Sequence, residues 1–237
     1  MLFRSGTLAP FQVERNRAFP YPEVMPVLES IVRQGRTRVI IVTGRPVADM
    51  DTLLSPLNHL EIWGSHGIEH RLPDGSCRQT SLDRKNTEAL AQAREWVTAA
   101  GFASRIETKP GGIALHWRGL SHTEMENMEA RTREGWDALA KEPQLRLLAF
   151  DGGLELRVTH PDKGDAVAAI LRDSNPGAQF AYLGDDLTDE DAFRVLDGRG
   201  LSVLVRGEYR TTLAKVWLKP PQELVDFLER WRKSVSA

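Results

Sequence analysis

With 237 residues, 41% of them hydrophobic and 27% charged, the chain can bury enough apolar surface to fold without staples, as one large domain or as a core carrying a smaller insert. The 31 Lys and Arg against 33 Asp and Glu leave a net charge of −2, so no global field attracts nucleic acid or an anionic membrane. The single cysteine, Cys77, excludes an internal disulfide and a cysteine-based zinc site, and neither a signal-peptide pattern nor the roughly 18 consecutive apolar residues of a membrane helix is present, so a cytoplasmic protein is expected.

Taken in chain order, residues 22–34 set Val24, Val27, Leu28, Ile31 and Val32 at helical spacing. Residues 37–43 form a β-branched run ending at Gly44, which predicts a buried parallel strand. A second strand over 60–63 leads into Gly64-Ser65-His66-Gly67, and Pro73-Asp74-Gly75 predicts a turn. The order then changes to helix 83–100, strands 103–108 and 112–118, helix 121–140, and strands 144–149 and 153–158. Pro110-Gly111-Gly112 and Asp151-Gly152-Gly153 read as hairpin connections, so this stretch predicts an antiparallel sheet with helices on one face. Parallel order resumes with helix 162–172, strand 179–183, helix 188–196, strand 201–205 and helix 221–232. The pattern predicts an α/β core over 1–78 and 159–237 and an α+β cap over 79–158.

The densest chemistry lies in Gly184-Asp185-Asp186-Leu187-Thr188-Asp189-Glu190-Asp191, with five carboxylates in seven residues where a strand gives way to a helix. That is where ligands bind in open α/β sheets, and hard oxygen ligands at such a turn suit Mg²⁺. Helix capping explains two or three of the five but not the Asp-Asp pair at the strand end, which favours Asp185, Asp186 and Asp189 as metal-site residues. Thr43-Gly44-Arg45 offers a hydroxyl and backbone N–H groups to an anion. Lys163 opens another helix, where a lysine is either an anion partner or a solvated charge. Hydroxyl, lysine and Asp-Asp in that order, with an insert between the first two, are far more specific together than any one alone.

Those three motifs, with Gly6-Thr7-Leu8-Ala9-Pro10-Phe11, Thr37 to Arg45, Glu61-Ile62-Trp63-Gly64-Ser65-His66-Gly67-Ile68-Glu69, Pro73-Asp74-Gly75 and Gly184 to Phe193, make the chain similar to trehalose-6-phosphate phosphatases of the haloacid dehalogenase superfamily. The resemblance implies a Rossmann-like core with an inserted cap, Mg²⁺ dependence and a phospho-aspartate intermediate. It implies that Thr43, with Gly44 and Arg45, holds phosphoryl oxygens, that Lys163 neutralises the transferring group, and that Asp185 coordinates Mg²⁺ with Asp186 and Asp189 as ligands or supports. It also implies that Glu107, Lys109, His116, Arg118 and Glu155 contact the sugar, although Gly112 stands where a serine is common. Read without the resemblance, Glu107, Lys109, Arg118 and Glu155 are alternating solvent-facing strand residues.

One motif departs from the family. Asp-x-Asp-Gly-Thr-Leu, whose first Asp is the nucleophile and second the acid and base, here reads Phe3-Arg4-Ser5-Gly6-Thr7-Leu8. A benzyl side chain can neither attack phosphorus nor bind Mg²⁺, and a serine hydroxyl is too weak an acid for the proton transfer. The strand leading into the motif is expected to be only Met1-Leu2. Either the chain is a natural non-catalytic relative, or its start is displaced or frame-shifted from one that carries the aspartates. The expected ligand is a sugar phosphate, trehalose 6-phosphate. A regulatory partner would be the synthase that makes it.

Overall fold

The computed structural model describes residues 7–10, 18–55, 57, 59–150 and 152–235, and the backbone of 2–3. Ser5 therefore lies outside the described residues. The chain divides into two compact units, Met1–Gln79 with Pro161–Ala237, and Thr80–His160.

The first unit begins with β1 (Leu2–Phe3), α1 (Val24–Gln34), β2 (Ile40–Val42), α2 (Val47–Leu53), β3 (Glu61–Gly64), β4 (Glu69–Arg71) and β5 (Cys77–Gln79). The second unit holds α3 (Arg84–Ala99), β6 (Ile106–Lys109), β7 (Gly112–His116), α4 (His122–Ala140), β8 (Leu145–Phe150) and β9 (Gly153–Val158). The first unit then resumes with α5 (Lys163–Arg172), β10 (Ala181–Gly184), α6 (Glu190–Leu196), β11 (Leu201–Val205), β12 (Val216–Leu218) and α7 (Gln222–Ser234).

The eight strands of the first unit run in the order β12-β11-β10-β1-β2-β3-β4-β5. They are parallel from β12 to β3 and antiparallel from β3 to β5. Alternation along the parallel strands sorts their side chains onto two apolar faces. Val39, Ile41, Ile62, Leu183 and Val203 pack with Leu28 and Ile31 of α1 and Leu224 and Leu228 of α7. Ile40, Val42 and Tyr182 pack with Val167 and Ile170 of α5 and Phe193 and Leu196 of α6. The strand order reverses direction at β1, so the carboxyl ends of β2 and β10 flank the crevice where such sheets bind ligands.

Several elements differ from expectation. The first strand is Leu2–Phe3, one residue further along than expected, and it pairs in register with both Ile40–Ile41 and Tyr182–Leu183. The short strands β4 and β5 close a hairpin on the Pro73–Gly75 turn, with α2 and β12 further additions. Residues 103–105 form a 3-10 turn instead of starting a strand.

In the second unit the order is β6-β7-β9-β8, antiparallel throughout. Ile113, Leu115, Leu154, Leu156 and Val158 are buried on the face contacted by α3 and α4, with Ala93, Val97, Met128 and Trp136 of the helices. Gly135 lets the helices approach, since a Cβ there would lie 1.9 Å from the Trp96 ring. Asp83 caps α3 by accepting from Asn86 N, and Ser121 with Glu124 forms a capping box on α4.

Candidate phosphate, metal and sugar sites

Thr43 ends β2 and is fully buried. Its backbone N–H donates to Trp63 O at 2.8 Å, its carbonyl accepts from His66 N at 2.9 Å, and its Oγ1 accepts from Arg45 N at 3.1 Å. The Thr43-Gly44-Arg45 loop is thus laced to the loop after β3, where Ser65 N also donates to Arg45 O at 2.8 Å.

Lys163 is the first residue of α5, and its side chain is 0% exposed, so it is not a solvated charge. Burial of an ammonium requires a paired, hydrogen-bonded partner. Asp189, also 0% exposed, supplies it: Oδ1 accepts from Lys163 Nζ at 2.7 Å and from the Tyr182 hydroxyl at 2.8 Å. Its Oδ2 accepts from the backbone N–H groups of Asp185 at 3.0 Å and Asp186 at 2.9 Å. With four donors on two oxygens, Asp189 is saturated. It thereby fixes Lys163 and the Asp185–Asp186 backbone, an arrangement that matches the supporting alternative at this position more closely than the ligand one. Gly184 makes room for it, because a Cβ there would meet Asp189 Cβ at 2.6 Å.

The other acidic residues separate in the same way. Asp186 Oδ1 accepts from Leu187 N at 2.8 Å and caps the 3-10 turn Leu187–Asp189. Glu190 accepts from Arg210, from Thr212 Oγ1 at 2.8 Å and from Leu213 N at 2.7 Å. Asp191 pairs with Arg194 at 2.9 Å. Mutual repulsion among the five carboxylates therefore does not demand a cation; Lys163, Arg210, Arg194 and backbone N–H groups balance four of them. Asp185 Oδ1 accepts from the hydroxyl of Thr7 at 3.0 Å. Beside it, burial and then the Asp185 charge push the Tyr21 phenol above its ordinary pKa. The residues β11 hands on to β12 brace this turn from outside: Arg210 Nη2 donates to Asp186 O at 2.7 Å and Arg206 Nη1 to Asp185 O at 3.4 Å.

In the second unit the register places Glu107, Ala114 and Glu155 side by side on the face opposite the helices. Lys109 Nζ lies 2.9 Å from Glu155 Oε1 and 3.8 Å from Glu107 Oε2, and His116 Nε2 lies 2.8 Å from Glu107 Oε2. Lys109 and Glu155 side chains are only 11% and 12% exposed, which replaces the solvent-facing reading with a shared ionic cluster. His116 also meets the edge of Phe150 at 5.2 Å and lines a cavity of about 390 Å³ with Ser104, Arg105 and Ile106. Arg118 stands apart along the chain, its stem lying over Gly152 in the β8–β9 turn.

Thr7, Tyr182 and Arg210 are site residues that sequence reasoning left without roles. A buried tyrosine in the strand before Gly184 was a legible signal, since its hydroxyl needs a partner. Arg210 had none, because its contact with Asp186 spans 24 residues.

A family model described as trehalose-phosphatase matches residues 1–212. A trehalose-phosphate phosphatase of Mycolicibacterium paratuberculosis is 32% identical over 95% of this chain and 59% of its own length. A probable trehalose-phosphate phosphatase C of Arabidopsis thaliana is 27% identical over 96% of this chain and 75% of its own. The chain thus spans about three-fifths to three-quarters of these relatives. Among solved structures, the C-terminal domain of a C. albicans trehalose-6-phosphate phosphatase superposes with a TM-score of 0.80 at 21% identity, covering 98% of this chain and 91% of that one. The C-terminal domain of a Candida albicans trehalose synthase regulatory protein gives 0.70 at 13%, covering 96% and 92%. Both show the fold. Phosphatases of this fold generally use a divalent metal ion, and this family acts on a sugar phosphate. By sequence and by fold, the chain belongs to the trehalose-phosphatase family.

Proposed function

We propose that the chain binds trehalose 6-phosphate, the phosphoryl group at Thr43, Gly44, Arg45 and Lys163 and the sugar hydroxyls at Glu107, Lys109, His116, Arg118 and Glu155, and that it does not hydrolyse this ester with residues 3 and 5 as they stand. The observation that carries the first half is the buried Lys163–Asp189 pair at 2.7 Å, which fixes the Lys163 ammonium at a helix start where an anion is favoured. The second half rests on β1, where Phe3 sits in register between Ile41 and Leu183 and brings no oxygen to the nucleophile position.

Asp185 is the carboxylate we assign to Mg²⁺, because it directly follows the carboxyl end of β10 at the switch point of the sheet, where ligands bind. Mg²⁺ is commonly held by one or two carboxylates, with water and phosphate oxygens completing the shell, so Asp185 with Asp186 beside it fits a loosely held ion. When bound, the ion would offset charge on the phosphoryl oxygens. Asp189 and Arg210 would keep the Asp185–Asp186 backbone in place.

Calorimetric titration with trehalose 6-phosphate, alongside assay of released phosphate, tests this reading. Wild type should bind weakly and salt-sensitively, Thr43→Ala should bind more weakly still, and neither should release phosphate above background. Phe3→Asp with Ser5→Asp should gain divalent-ion-dependent release, and Asp185→Asn should abolish that gain. Turnover by the unaltered chain would instead make it a working phosphatase with an unrecognised nucleophile. A ligand-binding role without turnover suits a regulator of the synthase that makes the ester. A fold shared with a trehalose synthase regulatory protein is consistent with that role.

A further inference from the structure

We infer that His66 is a third group of the Thr43–Lys163 site, donating from its ring to an oxygen of the bound phosphoryl group; this rests on the phosphate-binding reading above. Ser65 and His66 have φ values of 47° and 59°, the only positive values of non-glycine residues among those described. A left-handed backbone is sterically disfavoured for a residue with a side chain, and adjacent strained residues persist only where their surroundings hold them, commonly at functional sites. Here Glu69 Oε2 accepts from Ser65 Oγ at 2.5 Å and from Val47 N at 3.2 Å, while Ser65 N and His66 N donate to Arg45 O and Thr43 O.

The strained turn has a specific product. It lays the imidazole against Gly44, so that a Cβ at Gly44 would lie 2.5 Å from His66 Nε2 and 2.7 Å from Cε1. Gly44 itself is not left-handed, so the ring, not the turn, excludes a side chain there. On the other flank, a Cβ at Gly67 would lie 2.9 Å from the carbonyl of Asp162, the residue before Lys163. The loop thus spans from the hydroxyl motif to the lysine helix, and His66, which is partly exposed, stands between them. An imidazole N–H is a donor in either tautomer and carries charge when protonated, which suits a phosphate dianion.

The test separates ring from backbone. Asn tolerates the left-handed conformation but is too short to cover Gly44. His66→Asn should therefore keep the thermal midpoint and weaken binding of inorganic phosphate about ten-fold, the worth of one charge-assisted hydrogen bond. In wild type, the ¹H–¹⁵N ring signals of His66 should move on saturation with phosphate while those of His122 stay. Gly44→Ala should displace the ring and weaken phosphate binding comparably, and it decides the matter if His66→Asn does not fold. Phosphate binding lost in Thr43→Ala but unchanged in His66→Asn overturns the assignment of His66 alone. Absence of phosphate binding in the wild type overturns the site reading and His66 with it.

Discussion

The two units each carry a cluster of opposite charges, and they are built on different terms. Around Lys163 and Asp189 both side chains are 0% exposed, and four donors saturate the two carboxylate oxygens. On the four-stranded sheet, Glu107, Lys109, His116 and Glu155 side chains are 11–25% exposed and bond chiefly to one another. A saturated, buried carboxylate cannot exchange partners without leaving a buried charge alone, so Asp189 serves as a fixed part that positions Lys163 and the Asp185–Asp186 backbone. The partly exposed cluster can trade an internal bond for a ligand hydroxyl at smaller cost, which is what recognition of a polyhydroxylated ligand requires.

Asp189→Ala should break that comparison most severely. It strands Lys163 in the interior and removes the acceptor for two backbone N–H groups, so about 3–5 kcal/mol of stability should be lost, read as a lower urea midpoint. Arg210→Ala comes next. Asp186 O and Glu190 lose a partly buried charged donor, which should cost about 1.5–3 kcal/mol, and Arg210→Lys should recover only part because an ammonium lacks the fork that reaches both. In the second unit, Lys109→Met should cost only about 1 kcal/mol. Its effect should appear in a binding comparison, with affinity for trehalose 6-phosphate falling while affinity for inorganic phosphate holds. A loss of both together would mean that the sheet cluster supports the fold and reads no sugar.

The fold was largely legible because its signals are local and periodic. The run at 37–43, the helical spacing of 22–34, and the glycine-bearing hairpins at 110–112 and 151–153 each state an element within a few residues. Short strands were harder: Val216–Leu218 and Glu69–Arg71 gain their pairing from distant neighbours, and three residues carry little pattern of their own. At the site, residue types and order pointed to Thr43, Lys163 and Asp185. What the chain could not state locally was the division of labour among five carboxylates. Asp189 and Asp185 look alike in a run of acids, and only the arrival of Lys163 from 26 residues away and Thr7 from 178 tells the support from the candidate ligand.

The smallest effect sharpens the comparison from within the second unit. Gly112 stands in β7, and a Cβ there would lie 3.1 Å from Arg157 Cβ and 3.6 Å from Glu155 Oε1. Its backbone is not left-handed, so Gly112→Ser introduces no conformational strain. It instead requires Arg157 Cβ, and with it the paired β9 backbone, to yield by a few tenths of an ångström. The new hydroxyl would come within reach of Glu155 Oε1, the oxygen that Lys109 holds at 2.9 Å, and would compete for it as a neutral donor. Stability should therefore change by less than about 1 kcal/mol, whereas affinity for trehalose 6-phosphate should shift by a few-fold with binding of inorganic phosphate unmoved. If the cluster is exchangeable, Lys109→Met combined with Gly112→Ser should give a sugar-affinity change that departs from the sum of the two single changes, since both act through one carboxylate oxygen. Strict additivity across that double-mutant cycle would place Gly112 outside the cluster and return Glu155 and Lys109 to a purely structural pair.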